Sequence, residues 1–499
     1  MIHLKRTAVI NVVGLTESLL GPATPRIKEL LSRGAKANIV PTFPAVTCTA
    51  QSTYLTGTPP SQHGIVGNGW YNREQAEVQF WKQSNHLVHG RKIWEELREL
   101  LPGFTCAKLF WWYNMYSSAD YSITPRPIYP ADGRKFFDIY TRPCSIRTEI
   151  KKDLGEFPFP CFWGPAAGVN SPQGSADAAS RWIAQSAKWI ENKYAPTLSL
   201  IYLPHLDYNL QRYGPFVAAD VRRLTSNTEC GVRNGESTSE PPHVGCYELN
   251  SAIVPDLQAI DAIVGDLIEF FEKRSVQVIL LSEYGITSVN RPVHLNRLFR
   301  KEGWITIKEE LGLELLDCGA SKVFAVADHQ VAHIYLNDTA LENRVRKVLE
   351  ATEGVAEVLG ATGKIAAGID HPRAGDLIAV AKENAWFTYY YWLDDQVAPD
   401  FARCVDIHRK PGYDPVELFL DPRIPAVKLK ILWRLLQKKL GFRILMNVIP
   451  LYATLVKGSH GRRPASPADY PLIISGRSEL LPATQINPTD VYHIIKRHV

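Results

Sequence analysis

The chemistry of this chain starts at Thr47, in the run Pro44-Ala45-Val46-Thr47-Cys48-Thr49-Ala50. Small residues there lead into a helix predicted over 50–55 and closed by Gly57. A hydroxyl at the opening of a helix lies at the positive end of its dipole, where free N–H groups favour a bound anion. Such a hydroxyl can attack phosphorus once a metal ion lowers its pKa. The same position also suits an ordinary threonine cap. Four other places carry chemistry-bearing side chains: Asn68, Asp207 with Gln211, Glu283 with Tyr284, and His460 in Gly458-Ser459-His460-Gly461.

Three apolar runs could hold these groups. Residues 8–13, 198–203 and 276–281 read as buried strands, and each runs into a polar cluster. Helical patterns over 176–191 and 255–272 lie between them. Strands alternating with helices predict an α/β fold, a mostly parallel sheet covered on both faces. Functional groups in such sheets gather beyond the carboxyl ends of the strands. Further strands are predicted over 331–336 and 377–381, with a helix over 342–351.

The 499 residues suffice for one large α/β unit, and 45% hydrophobic with 21% charged residues is ordinary for a globular chain. The net charge of +5 suits an anionic small substrate better than nucleic acid. Twelve Trp, 21 Tyr and 18 Phe suit aromatic walls around a ligand. The eight cysteines show no zinc-type spacing, and no bridge is assigned to Cys230 and Cys246. The first residues run into a strand without a secretory pattern, and no apolar run reaches the ~18–20 residues of a spanning helix. A cytoplasmic location with reduced thiols is expected. The polar stretch 223–250 is expected to be a flexible loop.

The segment around Thr47 resembles the nucleophile region of the nucleotide pyrophosphatase/phosphodiesterase branch of the alkaline phosphatase superfamily. That family places a threonine nine residues before a Thr-Gly pair, then Pro-x-x-His-Gly-Ile and an asparagine on the phosphoryl oxygen. Thr47, Thr56-Gly57, Pro60, His63-Gly64-Ile65 and Asn68 match in register. The resemblance implies a single alkaline-phosphatase-like domain over 1–499, with cap segments at about 69–165 and 383–457.

It also implies two metal ions, usually zinc, and here the chain departs from the pattern. Val13 stands where the first-strand aspartate is expected, with Asn11 on the same strand face one step deeper. Asp207 is kept, but the family histidine four residues on is Gln211. The Ser-Asp-His-Gly signature reads Ser282-Glu283-Tyr284-Gly285, and the final His460 is intact. Oxygen-rich donor sets turn away from paired zinc. One divalent ion (zinc, manganese or magnesium) on Asp207, Gln211 and His460 is expected, with Glu283 toward a second ion or acting as a base on Thr47.

The implied function is metal-dependent hydrolysis of a phosphoric ester through a phosphothreonine at Thr47, with Asn68 holding non-bridging oxygens. The implied substrate is small and phosphorylated, with nucleotides in the class. The alternative is a reduced member that binds such a metabolite, or a partner, without turnover.

Several segments remain. His205, Asp328-His329 and His333 offer histidines a metal site could recruit or, more ordinarily, structural or hydrogen-bonding ones. Arg409 and Lys410, around a Pro-Gly turn, offer either an ion pair or an anion clamp. The clusters 110–114 and 386–392 suit packing or stacking on a ligand. The stretch 427–440 alternates Lys and Arg with Leu, Ile and Trp; it suits a membrane surface or, more ordinarily, a helix with its apolar side on the core.

Overall fold

A computed structural model describes residues 5–132, 134–218, 247–481 and 483–499. The expected loop over 223–250 lies almost wholly outside them, as do Cys230 and Cys246. The core is a nine-stranded sheet: β1 (Thr7–Val12), β2 (Ala35–Ile39), β3 (Cys106–Leu109), β4 (Tyr121–Pro125), β5 (Ile139–Arg142), β6 (Leu198–Leu203), β7 (Gln277–Leu281), β8 (Leu472–Ser475) and β9 (Gln485–Ile486). Their order is β9-β2-β8-β7-β1-β6-β3-β4-β5. Only β5 and β8 run against the rest. The α/β expectation and the three apolar runs are therefore met, the runs forming the centre of the sheet.

Register decides where the chemistry meets. Asn11 on β1 pairs with Tyr202 on β6 and Leu281 on β7. The loops leaving these strands, with Pro204-His205 and Ser282-Glu283-Tyr284, thus emerge side by side. Helices Pro25–Ser32, Ser145–Leu154, Ala178–Tyr194 and Val254–Glu272 pack in one group; α1 (Thr47–Thr56), Ile93–Leu100 and Asp490–His498 form another.

The stretch 69–165, expected as a cap, is partly sheet, since β3, β4 and β5 lie within it. Lys108 hid the pattern. It is a lysine in a wholly buried strand, its ammonium donating to the Trp112 and Tyr113 carbonyls at 2.8 and 2.9 Å. A second sheet, antiparallel, orders Val323–Asp328, Val331–Leu336, Leu377–Ala381 and Val355–Leu359 over its own core, which includes Leu295, Phe299, Val345 and Leu349. The tight connection between its first two strands is His329-Gln330, with His329 in the left-handed region at φ 62°. Non-glycine residues are uncommon there, and the conformation costs on the order of 1 kcal/mol. Hydrogen bonds hold the tip: Gln330 N–H donates to the His460 carbonyl at 2.8 Å, and Phe387 N–H to the His329 carbonyl at 2.8 Å.

Candidate active site

The helix α1 begins at Thr47 itself, three residues before the expected start. Its cap is Val46, which has no side chain to offer, and Gly57 closes it at φ 67°. The Thr47 hydroxyl is therefore free of capping duty. All ten residues of α1 are buried, although seven are Thr, Cys, Gln or Ser. A buried polar helix persists only when its groups find partners; here Thr53 and Thr56 donate to carbonyls one turn back, while Thr47 and Gln51 find theirs at the site.

The Thr47 hydroxyl lies 3.2 Å from the Tyr284 hydroxyl, which donates to Asp207 Oδ1 at 3.2 Å. A phenol has one proton, and Asp207 receives it. With Asp207 ionised, Thr47 then donates to Tyr284 and keeps its lone pairs free. Asp207 opens the helix α2 (His205–Tyr213) at the end of β6 and also accepts from Gln211 Nε2 at 2.8 Å. Burial pushes its carboxyl up to about 7, against the pull of Tyr284 and Gln211. Gln211 Oε1 in turn accepts from the Tyr413 hydroxyl at 3.1 Å.

Above these bonds stands a column of rings. Tyr284 stacks on His460 at 3.7 Å and 8°, His460 on His329 at 3.7 Å and 37°, and His329 on Tyr413 at 3.6 Å and 23°. His460 Nδ1 faces the Ala45 carbonyl at 2.8 Å, and His329 Nδ1 faces Asp328 Oδ1 at 2.9 Å. Both partners only accept, so both protons sit on Nδ1 and both Nε2 atoms present lone pairs. Neither Nε2 has a hydrogen-bond partner. Burial holds both imidazoles well below their ordinary pKa.

Glu283 is sealed away. Its Oε1 accepts from Asn11 Nδ2 and Gln51 Nε2, its Oε2 is unpaired, and burial raises its carboxyl to about 8, with Gln51, Asn11 and Thr47 opposing the rise. It is mostly a neutral acid at pH 7. Asn68 is braced rather than loose: its Oδ1 accepts from Cys48 N–H at 3.0 Å, and its Nδ2 donates to Asp328 Oδ1 at 3.0 Å. The second Nδ2 proton remains for a ligand.

All six residues singled out in the sequence, Thr47, Asn68, Asp207, Gln211, Glu283 and His460, are buried around this point. They do not compose the expected metal centre. Gln211 turns its amide N–H to Asp207 and gives its oxygen to Tyr413, so it does not stand as a ligand. Asp207 Oδ1 and His460 Nε2 lie 4.0 Å apart, and those two donors are what remains. His329 adds an unpaired Nε2 beside them. Among the described residues no three His, Cys, Asp or Glu converge as an ion requires. An ion needs about four to six donors, and this set does not fit the paired centre of the resemblance.

A cavity of about 320 Å³ opens above Thr47, Tyr284, Asp207 and His329. Trp81, Trp112, Phe162 and Trp163 wall it, and Lys82, Arg126 and Lys135 stand among its lining residues. The family profile described as type I phosphodiesterase / nucleotide pyrophosphatase matches residues 7–414. The chain belongs to this family. It is a family of phosphodiesterase and pyrophosphatase hydrolases within the alkaline phosphatase superfamily.

Among solved structures, murine ectonucleotide pyrophosphatase/phosphodiesterase 5 is similar at 14% identity and TM-score 0.55, over 99% of this chain and 94% of that one. An inactive form of that protein in complex with AMP gives the same values. Phosphonoacetate hydrolase from Sinorhizobium meliloti 1021, in complex with phosphonoformate, is similar at 12% identity and TM-score 0.56, over 99% and 96% of the two chains. These likenesses establish the alkaline-phosphatase-like fold. No curated protein matches the chain in sequence.

His333 is structural, bonded to the Val66 carbonyl and Gly375 N–H, and His205 faces Asp256 at 3.1 Å. His329, expected as structural too, enters the site instead. The anion clamp is not formed. Lys410 is buried against Asp414 and Glu417, each at 2.7 Å, and Arg409 pairs with Asp400 at 3.1 Å. That ion pair anchors the turn carrying Tyr413. Of the aromatic clusters, Trp112 reaches the cleft, while 386–392 packs internally. Tyr413 and Gln51 were missed because nothing local marks them; only their partners do.

Proposed function

We propose that the chain hydrolyses a phosphoric ester, with Thr47 Oγ1 as the attacking atom. The observation that carries this reading is the directed chain Thr47–Tyr284–Asp207. As Oγ1 attacks phosphorus, its proton passes to the Tyr284 oxygen while the Tyr284 proton passes to the Asp207 carboxylate. Asp207 passes that proton to the departing ester oxygen, which leaves as the alcohol, and a phosphothreonine remains; water then attacks phosphorus, giving its proton to the Asp207 carboxylate, and Asp207 returns a proton through Tyr284 to the departing Thr47 oxygen. The free Asn68 N–H and the N–H groups opening α1 face the non-bridging oxygens. The aromatic walls suit a flat or apolar leaving group, as in a nucleotide or another aryl or long-chain phosphodiester, and the cations suit its charge.

A second reading has its own observation, the unpaired Nε2 atoms of His460 and His329 beside Asp207. One divalent ion on Asp207 and His460 would suit the family's habit and would lower the Thr47 pKa, although the donor count argues against tight binding. A binding protein without turnover is the third reading, motivated by Val13, Gln211 and Tyr284.

One experiment separates them: turnover of a chromogenic phosphodiester after chelation, and again with zinc, manganese or magnesium, for wild type and Thr47→Ala. The relay predicts chelator-resistant turnover that falls about 10³-fold or more in Thr47→Ala. Turnover that appears only with added metal sinks the relay in favour of the ion. No turnover in any condition leaves the binding protein.

A further inference from the structure

The helix α3 (Val427–Lys439) departs from the ordinary arrangement: none of its residues is buried. Leu429, Leu432, Trp433, Leu436 and Leu440 fall on one stripe by helical spacing, and they are 66%, 64%, 58%, 45% and 67% exposed. The helix grips the body with its other side. Val427 and Ile431 pack against the aromatic core, and Lys430 and Lys438 donate to the Asn447 and Lys135 carbonyls at 2.8 and 3.1 Å. The outward stripe is thus held in place rather than left by fraying.

Two further observations identify what the stripe meets. From 427 to 447 there are six Lys or Arg and no Asp or Glu, with Lys428 and Lys439 exposed along one flank of the stripe. The Lys438–Lys135 bond also places the helix end against the cleft rim, where Tyr129, Phe136 and Phe137 are 57%, 42% and 43% exposed. A large apolar patch edged by cations matches an anionic lipid surface, apolar side chains into the acyl boundary and lysines to the headgroups. No described helix is long and apolar enough to cross a bilayer, so the contact is a surface one.

We propose that α3 and the adjoining rim residues Tyr129, Phe136 and Phe137 dock the protein flat on an anionic phospholipid membrane, with the mouth of the cleft beside the contact. This goes beyond the hydrolytic reading and stands or falls separately from it. The test is flotation of the 499-residue chain with vesicles of phosphatidylcholine alone or mixed with phosphatidylserine. The protein is expected to float with the mixed vesicles and to stay behind with the neutral ones. Lys428→Glu with Lys439→Glu should weaken binding about tenfold or more. Leu432→Glu with Trp433→Glu should abolish flotation while leaving Tm and turnover of a small soluble phosphodiester unchanged.

Failure of the wild type to float on mixed vesicles would overturn the proposal, as would flotation that survives Leu432→Glu/Trp433→Glu. A wild-type dimer that dissociates in the same double variant, without flotation, would assign the stripe to a second copy instead.

Discussion

Asp207 and Glu283 are two buried carboxyls placed by the two strands that flank β1, and they differ in what surrounds them. Both are pushed upward by burial, to about 7 and about 8. Glu283 faces inward to two amides, those of Asn11 and Gln51. Asp207 faces the cleft and takes the proton of Tyr284. The same chemical group is a packed structural acid in one place and a poised base in the other. Exposure to the cleft makes the difference, not the size of the shift.

The comparison is easiest to break through Tyr284. Tyr284→Phe keeps the ring stack on His460 and removes the relay, so kcat should fall about 10²–10³-fold. Glu283→Gln, which keeps the size and an acceptor for the two amides, should cost under about tenfold. Equal losses in the two variants would erase the distinction. Next in size is a rebuilt centre: Val13→Asp, Gln211→His and Tyr284→His together should raise zinc retention after dialysis from below one ion per chain to one or more, read by elemental analysis. No gain would mean that the backbone frame, rather than the donors, has drifted.

A smaller effect is read from pH. Asp207 must be ionised to accept the proton, so kcat/KM should rise as pH passes about 7 and flatten above it. A profile flat across that range would remove Asp207 as the base.

Stability should run the opposite way. Both carboxyls bind protons more readily in the folded chain than at their ordinary values of 3.8 and 4.5. Between about pH 4 and pH 8 the native state therefore holds more protons than the unfolded one, and stability falls as pH rises through that window, by on the order of a few kcal/mol. Tm measured against pH checks the sign. Glu283→Gln should flatten the upper part of the curve, and Asp207→Asn the middle.

Much of the site was legible along the chain. The spacing from Thr47 to Asn68 and the clusters at 207, 283 and 460 marked the right places, because parallel strands deliver their following loops to one edge. The liganding roles were not legible. Whether Gln211 offers oxygen or nitrogen depends on Tyr413, two hundred positions away and held by the buried Lys410 pair. His329 reads as an ordinary histidine until the second sheet lays its hairpin tip beside His460. Helix α3 was placed correctly, but its facing was not, since a stripe of leucines reads alike toward a core or toward solvent.

The sequence by itself determined the α/β class, the family and the list of reactive side chains, since these follow from local apolar runs and short motifs. Tertiary structure alone decided that a phenol stands between Thr47 and Asp207, that stacked rings crowd the place of a metal pair, and that an apolar stripe faces out. Each of these depends on which distant side chains share a few ångströms, and packing of the whole chain fixes that.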